Sequence, residues 1–169
     1  MVVYVRKPRR TLVVTGPPFK REQDPLLVEK IQGFEGKRIV SGGTTAQIVS
    51  RIMNRQLKVD MSCWSPQVPP CSMMEGLDLV TEGMLTLSKV ATALEQKKPA
   101  YTLPNDAVRK FIQVMQESDQ VHFIVGTKIN EAHQDPSIPV EIGIRRTLIG
   151  RLQRALEDNY LKETSLEYM

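Results

Sequence analysis

The stretch that most constrains the fold is residues 37–48, with the sequence KRIVSGGTTAQI. Two β-branched aliphatic residues precede a glycine pair, and apolar residues then recur at helical spacing from Ala46 to Met53. This pattern predicts a strand, a tight turn and a helix, because strands and helices have different hydrophobic periods. We expect Thr44 or Thr45 to cap the helix, whose first N–H groups and positive dipole end suit an anion.

Other apolar runs end in the same way, with glycine close to a hydroxyl residue, over 11–16, 77–83 and 121–127. Helical patterns stand between the runs, and residues 62–74 form a proline-rich loop. Strands that alternate with helices predict an α/β fold, with a Rossmann-like, doubly wound, mostly parallel sheet and helices on both faces. Further predicted elements are a strand over 1–5, strands over 57–61 and 164–168, and a long helix over 140–158. One further helix is predicted to begin at Asp24-Pro25 with Asp24 as its N-cap, and another is predicted to be capped by Asn105-Asp106.

The carboxyl ends of parallel strands meet at one edge of such a sheet, and ligands bind there. Four turns that combine glycine with hydroxyl residues predict a polar pocket for a small anionic ligand at this edge. The alternative is that they are only tight turns with capping threonines. The predicted ligand-binding residues are Thr15, Gly16, Ser41, Gly42, Gly43, Thr44, Thr45, Thr81, Glu82, Gly83, Gly126 and Thr127.

The turns match neither common phosphate motif, so the sequence identifies no cofactor. Glu82 is placed to bind a ribose hydroxyl or a metal, to act as a base, or simply to be solvated. His133 lies in a loop at the ligand edge and is either an acid or base or a loop residue without a catalytic role, whereas His122 starts a strand and is interpreted as structural. Arg145 and Arg146 either reach an anion or form a solvated helix face. No Ser-His-Asp or Cys-His grouping can be assembled from motifs.

Composition narrows the classes of partner. A chain of 169 residues makes one domain, and aromatic residues amount to only 5%, which argues against nucleic-acid binding despite a net charge of +4. No apolar run approaches the ~20 residues that cross a bilayer, so we expect no membrane partner and a cytoplasmic location. Cys63 and Cys71 do not have the spacing of a zinc site and are expected to be free thiols; no metal is predicted.

Five stretches resemble the C-terminal domain that follows the catalytic domain in some SpoIIE-like (PPM-type) protein serine/threonine phosphatases of anaerobic bacteria. They are VYVRKPR (3–9), LVVTGPP (12–18), SGGTTA (41–46), DLVTEGMLTL (78–87) and HFIVGT (122–127). The resemblance implies that residues 1–10 are the last strand and connector of an upstream phosphatase domain, and that residues 11–169 are a single accessory α/β domain. The metal-binding aspartates of the family would lie upstream, so we expect no phosphatase activity from this chain.

Three hypotheses follow for residues 11–169. The domain regulates an attached phosphatase by binding a small anionic ligand, such as a phosphate or a nucleotide. Alternatively, it is a small enzyme that acts on a phosphorylated or nucleotide substrate through Glu82 or His133. In the third hypothesis it docks a protein partner or a second copy of itself as a homodimer, with Arg151 and Arg154 at the rim of the last helix.

Overall fold

The computed structural model of the chain describes residues 1, 3, 5–128 and 138–169, with the backbone alone over 138–142. These ranges contain seven strands and five α-helices. The strands are β1 (Arg10–Thr15), β2 (Lys37–Ser41), β3 (Lys58–Asp60), β4 (Cys71–Met73), β5 (Leu79–Thr81), β6 (Gln120–Val125) and β7 (Glu163–Tyr168). The helices are α1 (Asp24–Gly33), α2 (Gly43–Met53), α3 (Met84–Glu95), α4 (Ala107–Glu117) and α5 (Ile138–Tyr160).

All seven strands form one sheet in the order β3-β4-β5-β2-β1-β6-β7. The five strands from β5 to β7 run parallel, and β4 is antiparallel to both of its neighbours. Five of the six residues of β1 are buried, as expected for a parallel strand covered on both faces. The structure therefore confirms the predicted doubly wound, mostly parallel α/β fold.

Alternate residues of the central strands enter two separate cores. Val13, Ile39 and Phe123 belong to the core beneath α3, α4 and α5. Leu12 and Val14 belong to the core beneath α1 and α2. This alternation follows from the period of two along a strand, and it places helices on both faces as predicted.

The strand order reverses between β1 and β6. After β1 the chain continues into α1 on one face, and the next strand is β2; after β6 the next helix is α5 on the opposite face. The two connections diverge, which leaves a crevice outside the carboxyl ends of these strands.

The turn between β2 and α2 differs from the prediction in one respect. Gly42 is the N-cap of α2, and neither Thr44 nor Thr45 caps the helix, because both already lie in its first turn. Gly42 has a φ of 131°, which residues with a Cβ rarely adopt, and it turns the chain directly from the strand into the helix.

At α4 the predicted cap is confirmed, because the Asp106 carboxylate accepts hydrogen bonds from the N–H groups of Val108 and Arg109. At α1 the prediction is off by one residue: Gln23 is the N-cap and Asp24 is the first helical residue. The Asp24 carboxylate is buried and pairs with the Arg51 guanidinium across 3.2 Å instead.

The proline-rich loop is more ordered than predicted. It contains β4, which joins β3 to the rest of the sheet. Cys63 and Cys71 form a disulfide with their Cα atoms 5.6 Å apart, so the prediction of free thiols is wrong. Both cysteines are buried in the core beneath α3 and α4, where the loop folds back on itself.

The strand predicted over residues 1–5 is not seen in the described residues. Met1, Val3 and Val5 lie outside any strand and are exposed, while residues 2 and 4 are outside the described ranges. Residues 6–9, which precede β1, are attached to the sheet, because the Arg6 guanidinium forms an ion pair with Asp119 next to β6. No helix in the described part of the chain is long and apolar enough to cross a membrane.

Candidate functional site

The carboxyl ends of β1, β2 and β5 surround a pocket of about 170 Å³, which we call the edge pocket. It lies at the edge of the sheet where the sequence predicts a ligand site. Most of the predicted residues line it: Thr15, Gly16, Ser41, Gly42, Gly43, Thr44, Thr45, Glu82 and Gly83. Pro17, Met84, Lys128 and Arg145 complete the lining.

The amino end of α2 forms one wall of the edge pocket. The first N–H groups of any α-helix have no partner within the helix, and they carry the positive end of its dipole. At Gly43, the first residue of α2, a Cβ would have no atom within 4 Å. The backbone is therefore open toward the pocket at this position, and a ligand can approach it closely.

Thr45 places a hydroxyl at the same wall. The residue is 1% exposed, and its Oγ1 has no hydrogen-bond partner among the described residues. A buried hydroxyl without a partner costs free energy, because it has lost its hydrogen bonds to water. This group is therefore a candidate to bond a ligand in the edge pocket.

The hydroxyls of Ser41 and Thr81 have structural partners. Thr81 Oγ1 donates to Ser41 Oγ across 3.0 Å, and Ser41 Oγ donates to the carbonyl oxygen of Glu82 across 3.1 Å. These bonds tie the ends of β2 and β5 together beneath the pocket. Thr81 does not line the pocket, and a direct role for it in binding stays a prediction.

Gly126 and Thr127 also lie outside the lining of the edge pocket. A Cβ at Gly126 would overlap the carbonyl oxygens of Gly16 and Pro17, so only glycine allows the turns after β1 and β6 to meet. The N–H and Oγ1 of Thr127 both donate to the carbonyl oxygen of Met169, across 2.7 and 2.8 Å. Gly126 and Thr127 therefore contribute to the shape of the crevice without lining the edge pocket.

Two cationic side chains line the edge pocket opposite α2. Arg145 approaches it from α5 and donates a hydrogen bond to the carbonyl oxygen of Gly126 across 3.1 Å. Lys128 lies three residues after the end of β6, and sequence reasoning missed it although it stands next to the Gly126-Thr127 turn. Arg146 points elsewhere, with its guanidinium 5.0 Å from the centre of the Tyr168 ring.

Glu82 and His122 line different pockets in the structure. Glu82 lines the edge pocket with an exposed side chain, and His133 lies outside the described residues. His122 lies toward the amino end of β6, where its Nδ1 is 2.7 Å from Ser165 Oγ. The described ranges contain no group of three or more His, Cys, Asp or Glu side chains that could hold a metal ion.

The comparisons with known proteins add little to this geometry. No model of a protein family matches the sequence, and no curated protein matches it. Among solved structures, the chain is similar to the crystal structure of phenylacrylic acid decarboxylase from Aquifex aeolicus. The identity is 9% and the TM-score 0.31, over 96% of this chain and 81% of that chain. A likeness this distant does not bear on function, and the fold assignment depends on the strand order described above.

Proposed function

We propose that this chain is an accessory domain of a SpoIIE-like protein serine/threonine phosphatase, and that it binds a small anionic ligand in the edge pocket. The observation that carries the proposal is that the open N-terminus of α2 and two cationic side chains, Lys128 and Arg145, line the same pocket. The chemistry of the pocket suits a phosphate group, since backbone N–H groups, the helix dipole and cationic side chains all favour an anion.

The size of the edge pocket limits what it can enclose. About 170 Å³ is less than the roughly 300–1,000 Å³ of sites that take drug-sized ligands. The pocket therefore encloses a phosphate-sized group, and the rest of a nucleotide or sugar phosphate would extend along the rim. Glu82 stands at that rim, where its carboxylate is placed to accept hydrogen bonds from sugar hydroxyls.

The link to a phosphatase is supported by the resemblance and by the way the connector is held. The Arg9 N–H donates to the Asp119 carboxylate across 2.7 Å, and the Arg6 guanidinium pairs with the same group. The connector therefore enters β1 in a defined position, and β1 runs from there to Thr15 in the edge pocket. A single strand thus joins the proposed ligand site to the proposed attachment point.

A thermal-shift assay tests ligand binding, with inorganic phosphate, nucleotides and sugar phosphates as probes. A ligand at ~100 times its Kd stabilises the folded state by about 2.7 kcal/mol. For a chain of this size we expect a rise in Tm of roughly 5–11 °C. The absence of a shift with every anion would contradict the proposal and would favour the docking hypothesis.

Two leucine variants test whether the ligand binds in the edge pocket. Gly43→Leu fills the edge pocket at a position where a side chain meets no neighbour, so the variant should fold normally and lose the shift. Gly150→Leu is the matched control, because that glycine is equally open but lies in α5 away from the pocket. Turnover of a phosphorylated probe that disappears in Glu82→Gln while binding persists would favour the enzyme hypothesis.

A further inference from the structure

A second cavity lies on the α1 side of the sheet, where β6 and β7 extend beyond the helix. It measures about 600 Å³, a size typical of small-molecule sites, and we call it the side groove. The carboxyl end of α1 forms one wall with Lys30, and the floor comes from β1, β6 and β7. It is separate from the edge pocket and shares no lining residue with it.

Strand register brings three reactive side chains together on the floor of the side groove. His122 in β6 lies directly opposite Ser165 in β7, and Glu167 follows two residues later on the same face. His122 Nδ1 is 2.7 Å from Ser165 Oγ, and its Nε2 is 3.7 Å from Glu167 Oε2. The second Glu167 oxygen accepts a hydrogen bond from Lys30 Nζ across 2.7 Å, which fixes the carboxylate.

We propose that this cluster is a hydrolytic site for small, neutral carboxylic esters, in which Ser165 is the nucleophile and His122 the general base. A nucleophile within hydrogen-bond reach of a base, which a third group orients in turn, is the arrangement that activates a serine hydroxyl. Glu167 is the positioning residue, because its charge favours the tautomer with the proton on Nε2 and leaves Nδ1 free to accept from Ser165.

The surroundings keep the imidazole in its basic form. Partial burial lowers the pKa of His122 below its ordinary value; Glu167 acts in the opposite direction, and the charges of Lys30 and Arg10 reinforce the lowering. These effects together favour the neutral imidazole, which is the form that can take a proton. Ser165 is exposed to the groove, so a substrate can reach it.

The cations of the side groove supply the second requirement of ester cleavage, which is stabilisation of the oxyanion. Arg10 and Lys30 are the cationic side chains that line the groove, and we assign this role to them. The Arg10 guanidinium is held 5.0 Å above the centre of the Phe34 ring. The carboxylates of Glu35, Glu163 and Glu167 also line the groove and disfavour an anionic substrate, which makes a neutral ester the matching class.

The proposed reaction is balanced without a cofactor or a redox partner. Ser165 Oγ attacks the ester carbonyl carbon while its proton passes to His122 Nδ1. The tetrahedral intermediate collapses, the bond to the leaving oxygen breaks, and that oxygen takes the proton from Nδ1. Water then attacks the acyl-serine with His122 as base, and the release of the acid returns the proton to Ser165 Oγ.

Hydrolysis of p-nitrophenyl acetate by the full chain, followed through released p-nitrophenolate, tests the proposal. Ser165→Ala and His122→Gln should each lower the rate at least ~100-fold, because general base catalysis contributes about 10²–10⁴-fold. Ser62→Ala removes a serine hydroxyl that does not line the side groove and should leave the rate unchanged. A fluorophosphonate probe should label Ser165, as located by mass spectrometry of the peptides.

The positioning role of Glu167 has a separate readout. In Glu167→Gln the midpoint of the pH–rate profile should move to lower pH, because the carboxylate raises the pKa of His122. If Glu167→Gln lowers the maximal rate but leaves the midpoint of the pH–rate profile unchanged, the positioning role of Glu167 is contradicted. Absence of turnover in the unmodified chain, an unchanged rate in Ser165→Ala, or a label on another residue would overturn the proposal. The contact between His122 and Ser165 would then be only a hydrogen bond between strands.

Discussion

Substitution of Gly126 by alanine is expected to weaken the fold at the crevice that holds the edge pocket. Gly126 follows β6, and its N–H donates to the carbonyl oxygen of Thr15 across 2.8 Å. An added Cβ would approach the carbonyl oxygens of Gly16 and Pro17 far more closely than the 3.0 Å that real Cβ contacts respect. Since Gly126 has no positive φ, the effect is one of space and not of backbone conformation.

The size of the effect depends on whether the neighbours can move. The three nearest atoms that the Cβ would meet all belong to backbone, and the Lys128 N–H also holds the Pro17 carbonyl by a hydrogen bond of 3.1 Å. Overpacking of a well-packed region costs about 1–3 kcal/mol. Because a flexible side chain is not available to give way, we expect Gly126→Ala to fall near the upper end of that range.

Urea unfolding measures the change, with Gly150→Ala as the matched control. A Cβ at Gly150 meets nothing within 4 Å and the residue lies inside α5, so its replacement by alanine should stabilise the chain by about 0.5–1 kcal/mol. With a slope of ~2 kcal/mol/M, a cost of about 3 kcal/mol in Gly126→Ala should lower the midpoint by roughly 1.5 M. Equal midpoints for Gly126→Ala and the unmodified chain would refute the close approach of the two turns.

Three other perturbations have defined outcomes. Asp106→Ala removes the cap of α4 and should cost ~1 kcal/mol in urea unfolding. Reduction of the disulfide between Cys63 and Cys71 should cost about 2–3 kcal/mol and lower the Tm, because the bridge closes a short loop. Asp119→Ala should release the connector and speed tryptic cleavage after Arg6 several-fold. The Arg6 guanidinium lowers the pKa of Asp119 below its ordinary 3.8, so in the unmodified chain the contact should persist at pH 3.8 and be lost only in more acidic solution, as hydrogen exchange would report.

The sequence predicted the sheet well because its signals are local. β1, β2 and β6 are continuous apolar runs that end at glycine, and each became a buried parallel strand. β4 was missed because the segment Cys71-Ser72-Met73 has no β-branched residue and follows two prolines. Its pairing with β3 and β5 is a tertiary property, and so is the disulfide, since spacing alone does not show that Cys63 and Cys71 meet.

The edge pocket was largely predictable because parallel strands bring their carboxyl ends to one edge regardless of side-chain detail. What could not be predicted was the use of each hydroxyl: the sequence does not show that Ser41 and Thr81 bond to each other while Thr45 is left without a partner. The cluster of His122 and Ser165 could not be predicted from the sequence either. The two residues are far apart in sequence, and only the register of β6 against β7 makes them neighbours.

We propose that the amino end of α2 binds an anion, and backbone amide chemical shifts report on such binding most directly. Titration of the ¹⁵N-labelled chain with inorganic phosphate should give saturable shifts of the Gly43, Thr44 and Thr45 amides, with smaller changes at Lys128. The same titration of Gly43→Leu should leave these amides unchanged, whereas Gly150→Leu should behave like the unmodified chain. Shifts that do not saturate, or that saturate only at residues away from the edge pocket, would contradict anion binding at the amino end of α2.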